Sequence, residues 1–344
     1  MIRNKYLRRG SKERDRQISR NMLRVCTRIT PSSTRNARLF SKSRIINLTA
    51  PLGIDNTLEN NKRTETNRLA KTFTKFWDKV SIAQELATSN YLIQLDSKTI
   101  STPLGNHLSV HSDRKLLAML LQNEWKNLPN LSIKNYSLPI TSLVSRCIDL
   151  ESVNSKGDQD AIAKFNGNRS KIINDLLRYL DTDTLLVFSP KSEFEGALRK
   201  EQDKLYFPVI KSVEQVLTNF SKEPISLNIL DSEIHGLRGN QQNDITKSSA
   251  TSYLKSLSFW DLAIFEKVVL TTKSFMCGVL LLQNKAAQKN SVSTEYLTDD
   301  IVKYATLETL FQIERWGEVE DTHDVDKRDI KRNINAAAIV AYIE

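Results

Sequence analysis

The chain has 344 residues, 40% apolar and 26% charged. That mixture excludes collagen, coiled-coil rods and wholly disordered chains. Three cysteines are too few for a disulfide-stapled scaffold. The longest apolar run, Phe275 to Leu282, is far short of the ~20 residues that cross a bilayer, so no membrane insertion is expected. The length suits about two domains.

The formal charge of +10 is unevenly spread. Residues 1–45 carry fourteen Lys/Arg against Glu13 and Asp15, whereas the rest of the chain is close to neutral. Two readings of this terminus stand: a basic arm for nucleic acid, or a mitochondrial targeting segment, Arg-rich and poor in acids. Targeting is the stronger reading, because Met22 to Arg44 holds no acidic residue and Arg38-Leu39-Phe40-Ser41 resembles a matrix-processing site. A mitochondrial RNA-associated protein using the basic arm is the alternative function. Cleavage there removes Cys26 and leaves Cys147 and Cys277 as reduced, packed thiols. Residues 46–72 read as a polar linker.

From Phe73 the pattern changes. Short β-branched runs with turn signals predict three or four antiparallel strands between about 76 and 111, with turns at Asp96-Ser97 and at Pro103-Leu104-Gly105-Asn106. A helix follows, with Ser112 as its cap and Leu116, Leu117, Leu120, Leu121 and Trp125 at helical spacing. The string LPITSLVSRCIDL reads as an extended stretch and a short helix, and polar ESVNSKGDQD at 151–160 as a domain boundary. Beyond it, Ile172, Ile173, Leu176, Leu177 and Leu180 form an apolar stripe. Further helices are predicted at 194–220 (bent near Pro208), 244–256, 259–285, 299–315 and 327–343, with an isolated strand at 225–230. The expected class is α+β: a small β-rich N-terminal domain (73–155), then a larger, mainly α-helical domain (156–344).

Chemistry is sparse. HGLRGNQQND lacks the Lys-Ser/Thr ending of a phosphate loop. His107 and His111 flank a strand, which separates them by roughly 13 Å, too far for one metal ion. The acidic run 316–329 lacks the glycine and terminal glutamate of a calcium loop. His323 within it has no partner nucleophile, so a hydrolase reading has little to stand on. No catalytic residue, metal or cofactor is expected.

The strings FWDKVSI, IQLDSKTISTPLGN, NEW, SLPITSLVSRCIDL, LRYLDTDTLLVFSP and FQIERWGEVEDTHD occur in that order. Together they resemble the mitochondrial assembly chaperones for the α subunit of F-type ATP synthase, over about residues 73–344. The resemblance implies a mitochondrial matrix protein without ATPase activity. It implies binding to the free α subunit, with no nucleic acid as partner; we expect the free chaperone to be monomeric. The family pattern places an acidic residue at Glu308. Glu308 and Gln312 are i, i+4, with Tyr304 one turn earlier and Trp316 one turn later. Tyr304, Glu308, Gln312 and Trp316 are therefore candidate client contacts, which Glu318 and Asp321 extend. Leu307, Leu310, Phe311 and Glu314 are expected to point elsewhere, mostly to the core, and for Trp316 and Trp125 a core role competes.

Overall fold

Strand β2 (Tyr91–Leu95) organises a small antiparallel sheet. It pairs with β1 (Val80–Gln84) on one side, and with β3 (Lys98–Thr99) and β4 (Ser109–Val110) on the other. The computed structural model describes residues 75–128, 137–236, 238–289 and 296–344. The segments read as targeting peptide and linker lie outside them.

The β2–β3 turn is the expected one. Asp96 and Ser97 adopt φ of 47° and 79°, the paired left-handed geometry whose twist suits a two-residue hairpin. The Asp96 carboxylate also accepts the Lys79 N–H at 2.8 Å. At the second turn Gly105 has φ +84°, and its N–H bonds Thr102 O at 2.9 Å. One face of the sheet enters the main core through Ile93, Leu108 and Val110. Trp77, Leu95, Leu128 and Leu138 form a second cluster.

Helix α1 (Lys115–Lys126) starts later than expected: Arg114, not Ser112, holds the cap position. The reason is tertiary. The Arg114 guanidinium lies 4.7 Å from the Trp260 ring centre and donates to Val340 O, while the Glu344 carboxylate accepts the Leu116 N–H. Helix α2 (Pro139–Lys156) corrects another expectation. The stretch read as extended chain plus short helix is one 18-residue helix, with proline at its start and Gly157 in the left-handed region at its end. Glu124 of α1 caps it, accepting the Ile140 and Thr141 N–H groups at 2.9 Å each. Asp149, fully buried in α2, accepts from the Thr102 hydroxyl and from Asn106 Nδ2, the latter at 2.7 Å, and so locks the second turn onto the helix. Polar residues 151–156, read as a boundary, are the last turns of α2.

Helices α3 (Gln159–Lys164) and α4 (Arg169–Asp181) follow. Strand β5 (Val187–Phe188) precedes α5 (Ala197–Thr218), which carries Pro208 internally. The expected strand at 225–230 shrinks to β6 (Leu230–Asp231), parallel to β5. Short α6 (Ser232–His235) and α7 (Asp244–Ser256) come next. The single helix expected over 259–285 is two, α8 (Phe259–Thr272) and α9 (Phe275–Lys289). Lys273 turns left-handed (φ 59°) between them, and Ser274 Oγ accepts the Cys277 N–H at 3.1 Å. The polar stretch Thr271–Ser274 between two apolar runs is the trace of this break in the sequence. Helices α10 (Thr298–Trp316) and α11 (His323–Ala341) complete the chain.

Helix α8 is apolar almost all round, as a central helix must be, and it contacts α2, α4, α9 and α11. The protein is thus mainly helical with a small antiparallel sheet. Gly278 sets the α8–α9 spacing: a Cβ there would stand 2.7 Å from Phe265 Cε2, a ring that is fully buried and edge-on to Phe275. Gly278→Ala gains ~1 kcal/mol of helix propensity but overpacks the core by about 1–3 kcal/mol. A net loss of stability is expected, read as a lowered Tm; an increase would show that Phe265 yields freely.

Candidate functional site

Helix α10 opens with Asp299 and Asp300 against its positive end and closes with Arg315 in its last turn. The Asp300 carboxylate accepts the Leu297 N–H at 2.9 Å. Gly317 ends the helix with φ +90° and ψ 161°. The positive φ is as expected, but this ψ lies outside the left-handed helical region and sends the chain into the loop 318–322.

Glu308 is exposed, and its side-chain partner is neutral: Gln312 Nε2 donates to Glu308 Oε1 at 3.0 Å. Many other carboxylates meet a cation, as in Arg146–Glu266 at 3.1 Å, Arg199–Asp231 at 2.8 Å and Lys303–Glu201 at 3.1 Å. Glu308 therefore presents its charge outward, oriented by an amide rather than neutralised.

The other candidates separate. Tyr304 is buried: it packs edge-on to Tyr296, and its carbonyl accepts the Tyr206 hydroxyl at 3.0 Å. Its place in an exposed stripe is corrected, because the helix axis carries that line from the core at Tyr304 to the surface at Trp316. Trp316 is 70% exposed, so it is no core anchor. Phe311 turns to the core, as expected. Half-buried and packed against the core, it meets Phe194 with ring centres 5.8 Å apart. Glu308, Phe311, Gln312 and Arg315 then share one face at i, i+3, i+4, i+7. Glu318 and Asp321 are exposed in the loop, Asp321 with φ 59°. Trp125 is half-buried, stacked edge-on to Trp77 and bonded to the Thr141 hydroxyl.

Two features had no strong sequence signal. Phe194, Glu195 and Gly196 are consecutively left-handed, with φ of 46°, 56° and 79°. This turn sets the Phe194 ring 5.6 Å from Trp316 and beneath the Arg315 guanidinium at 5.5 Å. The second is Asp183, fully buried, whose carboxylate accepts the Leu185 and Met276 N–H groups at 2.9 Å each. It caps α9, and burial raises its pKa to about 6 despite these bonds. The string DTDTLLVFSP around it reads in the sequence as a short extended insertion.

Among the described residues the geometry offers no nucleophile poised beside a base. Cys147 and Cys277 are fully buried, and burial pushes both thiols up, Cys277 to about 12. His323 Nδ1 accepts the Val319 N–H at 3.1 Å and so closes the loop. Among the described residues no cluster of three or more His, Cys, Asp or Glu could hold a metal ion, and no helix is long and apolar enough to cross a membrane. A cleft of about 540 Å³ beside α2 includes Trp125, Arg146, Asp149 and Phe165 in its lining. Its charged groups are engaged internally, Arg146 with Glu266 and Asp149 with Thr102. What the surface offers is recognition: an exposed carboxylate and an exposed indole around half-buried aromatic rings.

Comparison with known proteins agrees in kind. In crystal form, a putative chaperone from Agrobacterium tumefaciens shares this fold with a TM-score of 0.57 at 20% identity, over 78% of this chain and 85% of that one. Atp12 from Paracoccus denitrificans does so with a TM-score of 0.53 at 18% identity, over 78% and 99%. Residues 74–214 match the family described as ATP12 chaperone protein. The mitochondrial protein ATP12 of Schizosaccharomyces pombe is 33% identical over 78% of this chain and 82% of its own length. Its Saccharomyces cerevisiae counterpart is 60% identical over 85% of this chain and 91% of its own length. A match at that level over most of both chains places the chain in the ATP12 chaperone family.

Proposed function

We propose that this chaperone binds the unassembled α subunit of mitochondrial F-type ATP synthase in the matrix and shields its assembly surface until the β subunit replaces it. Membership of a chaperone family with mitochondrial relatives supports the class. The observation that carries the site is Glu308, an exposed carboxylate without an ion-pair partner among the described residues, held by Gln312 on a helix face that ends in exposed Trp316. A free subunit of an obligate assembly exposes core-like surface, on the order of 2,000 Å² or more, and such a patch invites wrong association. Charged and amide groups around an apolar centre give register and fast capture without excessive affinity. The test is affinity capture from matrix extract with the mature chain. The α subunit should be the principal stoichiometric protein recovered; recovery of RNA, or of β in its place, would overturn the proposal.

Residues 1–45 serve as a cleaved targeting segment and 46–72 as a linker to the β-rich and helical parts. N-terminal sequencing of the matrix form should give a start near Phe40. An intact Met1 or Met22 would refute cleavage.

A further inference from the structure

Resting on the reading of α10 as the client-contact face, we propose that the left-handed turn Glu193–Gly196 and the end of α10 together form one docking surface, which takes a cationic client segment that lays an apolar side chain against Trp316 and Phe194.

Three observations converge. The first is exposure: Trp316 at 70% and Val319 at 55% stand at the end of α10 and just after it. Apolar groups standing together in this way mark interaction surfaces more often than scattered ones do. The second is conformation. Phe194 and Glu195 are non-glycine residues at φ 46° and 56°, a strained choice for L-residues. The surroundings hold it: the Phe194 ring is gripped by Phe311 at 5.8 Å, Trp316 at 5.6 Å and Arg315 at 5.5 Å. The turn thereby supplies an aromatic floor beside the indole that α10 could not build from its own residues. The third is charge. Exposed Glu193 and Glu195 flank Phe194 in the turn, exposed Glu314, Glu318 and Glu320 lie close to Trp316 along the chain, and exposed Glu308 stands two turns before it on α10, with Arg315 drawn over Phe194. A surface of that sign selects a cationic occupant and speeds its encounter. An acidic or uncharged apolar segment would meet repulsion or leave these charges unanswered. An exposed Trp centred on such a patch is the residue type in which binding energy concentrates.

The test uses the full chaperone and purified α subunit at low and high salt, with three variants. Trp316→Ala should weaken capture at least tenfold at both salt concentrations while leaving Tm within about 2 °C, since the indole is mostly in water. The pair Glu193→Lys and Glu195→Lys should weaken capture severalfold at low salt, with the difference shrinking at high salt. Glu308→Lys reports on the underlying reading. If Glu308→Lys abolishes capture but the other variants stay within twofold of wild type, the docking surface is wrong and the α10 reading survives. If all three stay within twofold, both fail. A second measurement does not depend on the variants: with 5-fluorotryptophan in the chaperone, the fluorine resonance assigned to Trp316 through Trp316→Phe should shift on adding α subunit. The resonance of Trp77, in its separate buried cluster, should not. An unmoved Trp316 signal at saturation would overturn the proposal.

Discussion

Asp183→Ala should lower stability by about 3–5 kcal/mol, the range for breaking a buried polar network. Its carboxylate receives Leu185 N–H and Met276 N–H at 2.9 Å each. It is fully buried, so water cannot replace it. Each buried donor left without an acceptor costs about 1–3 kcal/mol, and α9 also loses the negative charge at its positive end. The charge itself leaves a pH signature. Burial raises the Asp183 pKa to about 6 in the folded protein, against roughly 3.9 in the unfolded chain. Between those values the native state holds the proton and the unfolded state does not. The contribution is therefore fully present below pH 4 and is lost as pH rises through 6, by up to roughly 3 kcal/mol over the two-unit span. Asp183→Asn should be less destabilising than Asp183→Ala, since one carbonyl oxygen remains. It should also flatten the slope between pH 4 and 6 relative to wild type. Denaturant melts across that window measure both effects; an unchanged slope would place the titration elsewhere.

Glu308→Lys should have its large effect on binding instead. The residue is exposed and its bonded partner is Gln312, so the folded chain loses one surface hydrogen bond and stability changes by about 0.5 kcal/mol. At an interface the same change turns an attraction into a repulsion, with a cost of roughly 2–5 kcal/mol, about thirty- to several-thousand-fold in affinity. Thermal unfolding and α-subunit capture on the same variant separate the cases. Normal melting with lost capture supports the contact. Melting that falls sharply, with capture falling only in proportion, would make Glu308 a structural carboxylate.

Local signals survived best in the fold. The Asp96-Ser97 turn, the Ile172–Leu180 stripe and the bounds 244–256 of α7 were readable because propensity, spacing and punctuation agree there. Errors arose where distant chain decides. Arg114 displaces Ser112 as cap because Trp260 and Val340 receive its side chain. Helix α2 runs through a polar stretch because Val153 stays buried and Gly157 supplies the stop. The α8–α9 break depends on Asp183, more than ninety residues earlier, meeting Met276. In the candidate site, i, i+4 spacing correctly joined Glu308 to Gln312. Spacing alone could not show that Tyr304 sinks under Tyr206 or that Phe311 turns to meet Phe194, since both depend on what lies across from α10. The Phe194 turn was illegible for a plainer reason: two left-handed residues that are neither Gly nor Asn carry no sequence signal.

The central proposal is that this chaperone covers a surface that assembly later buries. Equilibrium binding of the chaperone to isolated α subunit and to the assembled α/β hexamer tests it most directly. The account predicts a one-to-one complex with isolated α, release of the chaperone when β is added, and no binding to the hexamer. Equal affinity for isolated α and for the hexamer, or retention of the chaperone after β has bound, would contradict it.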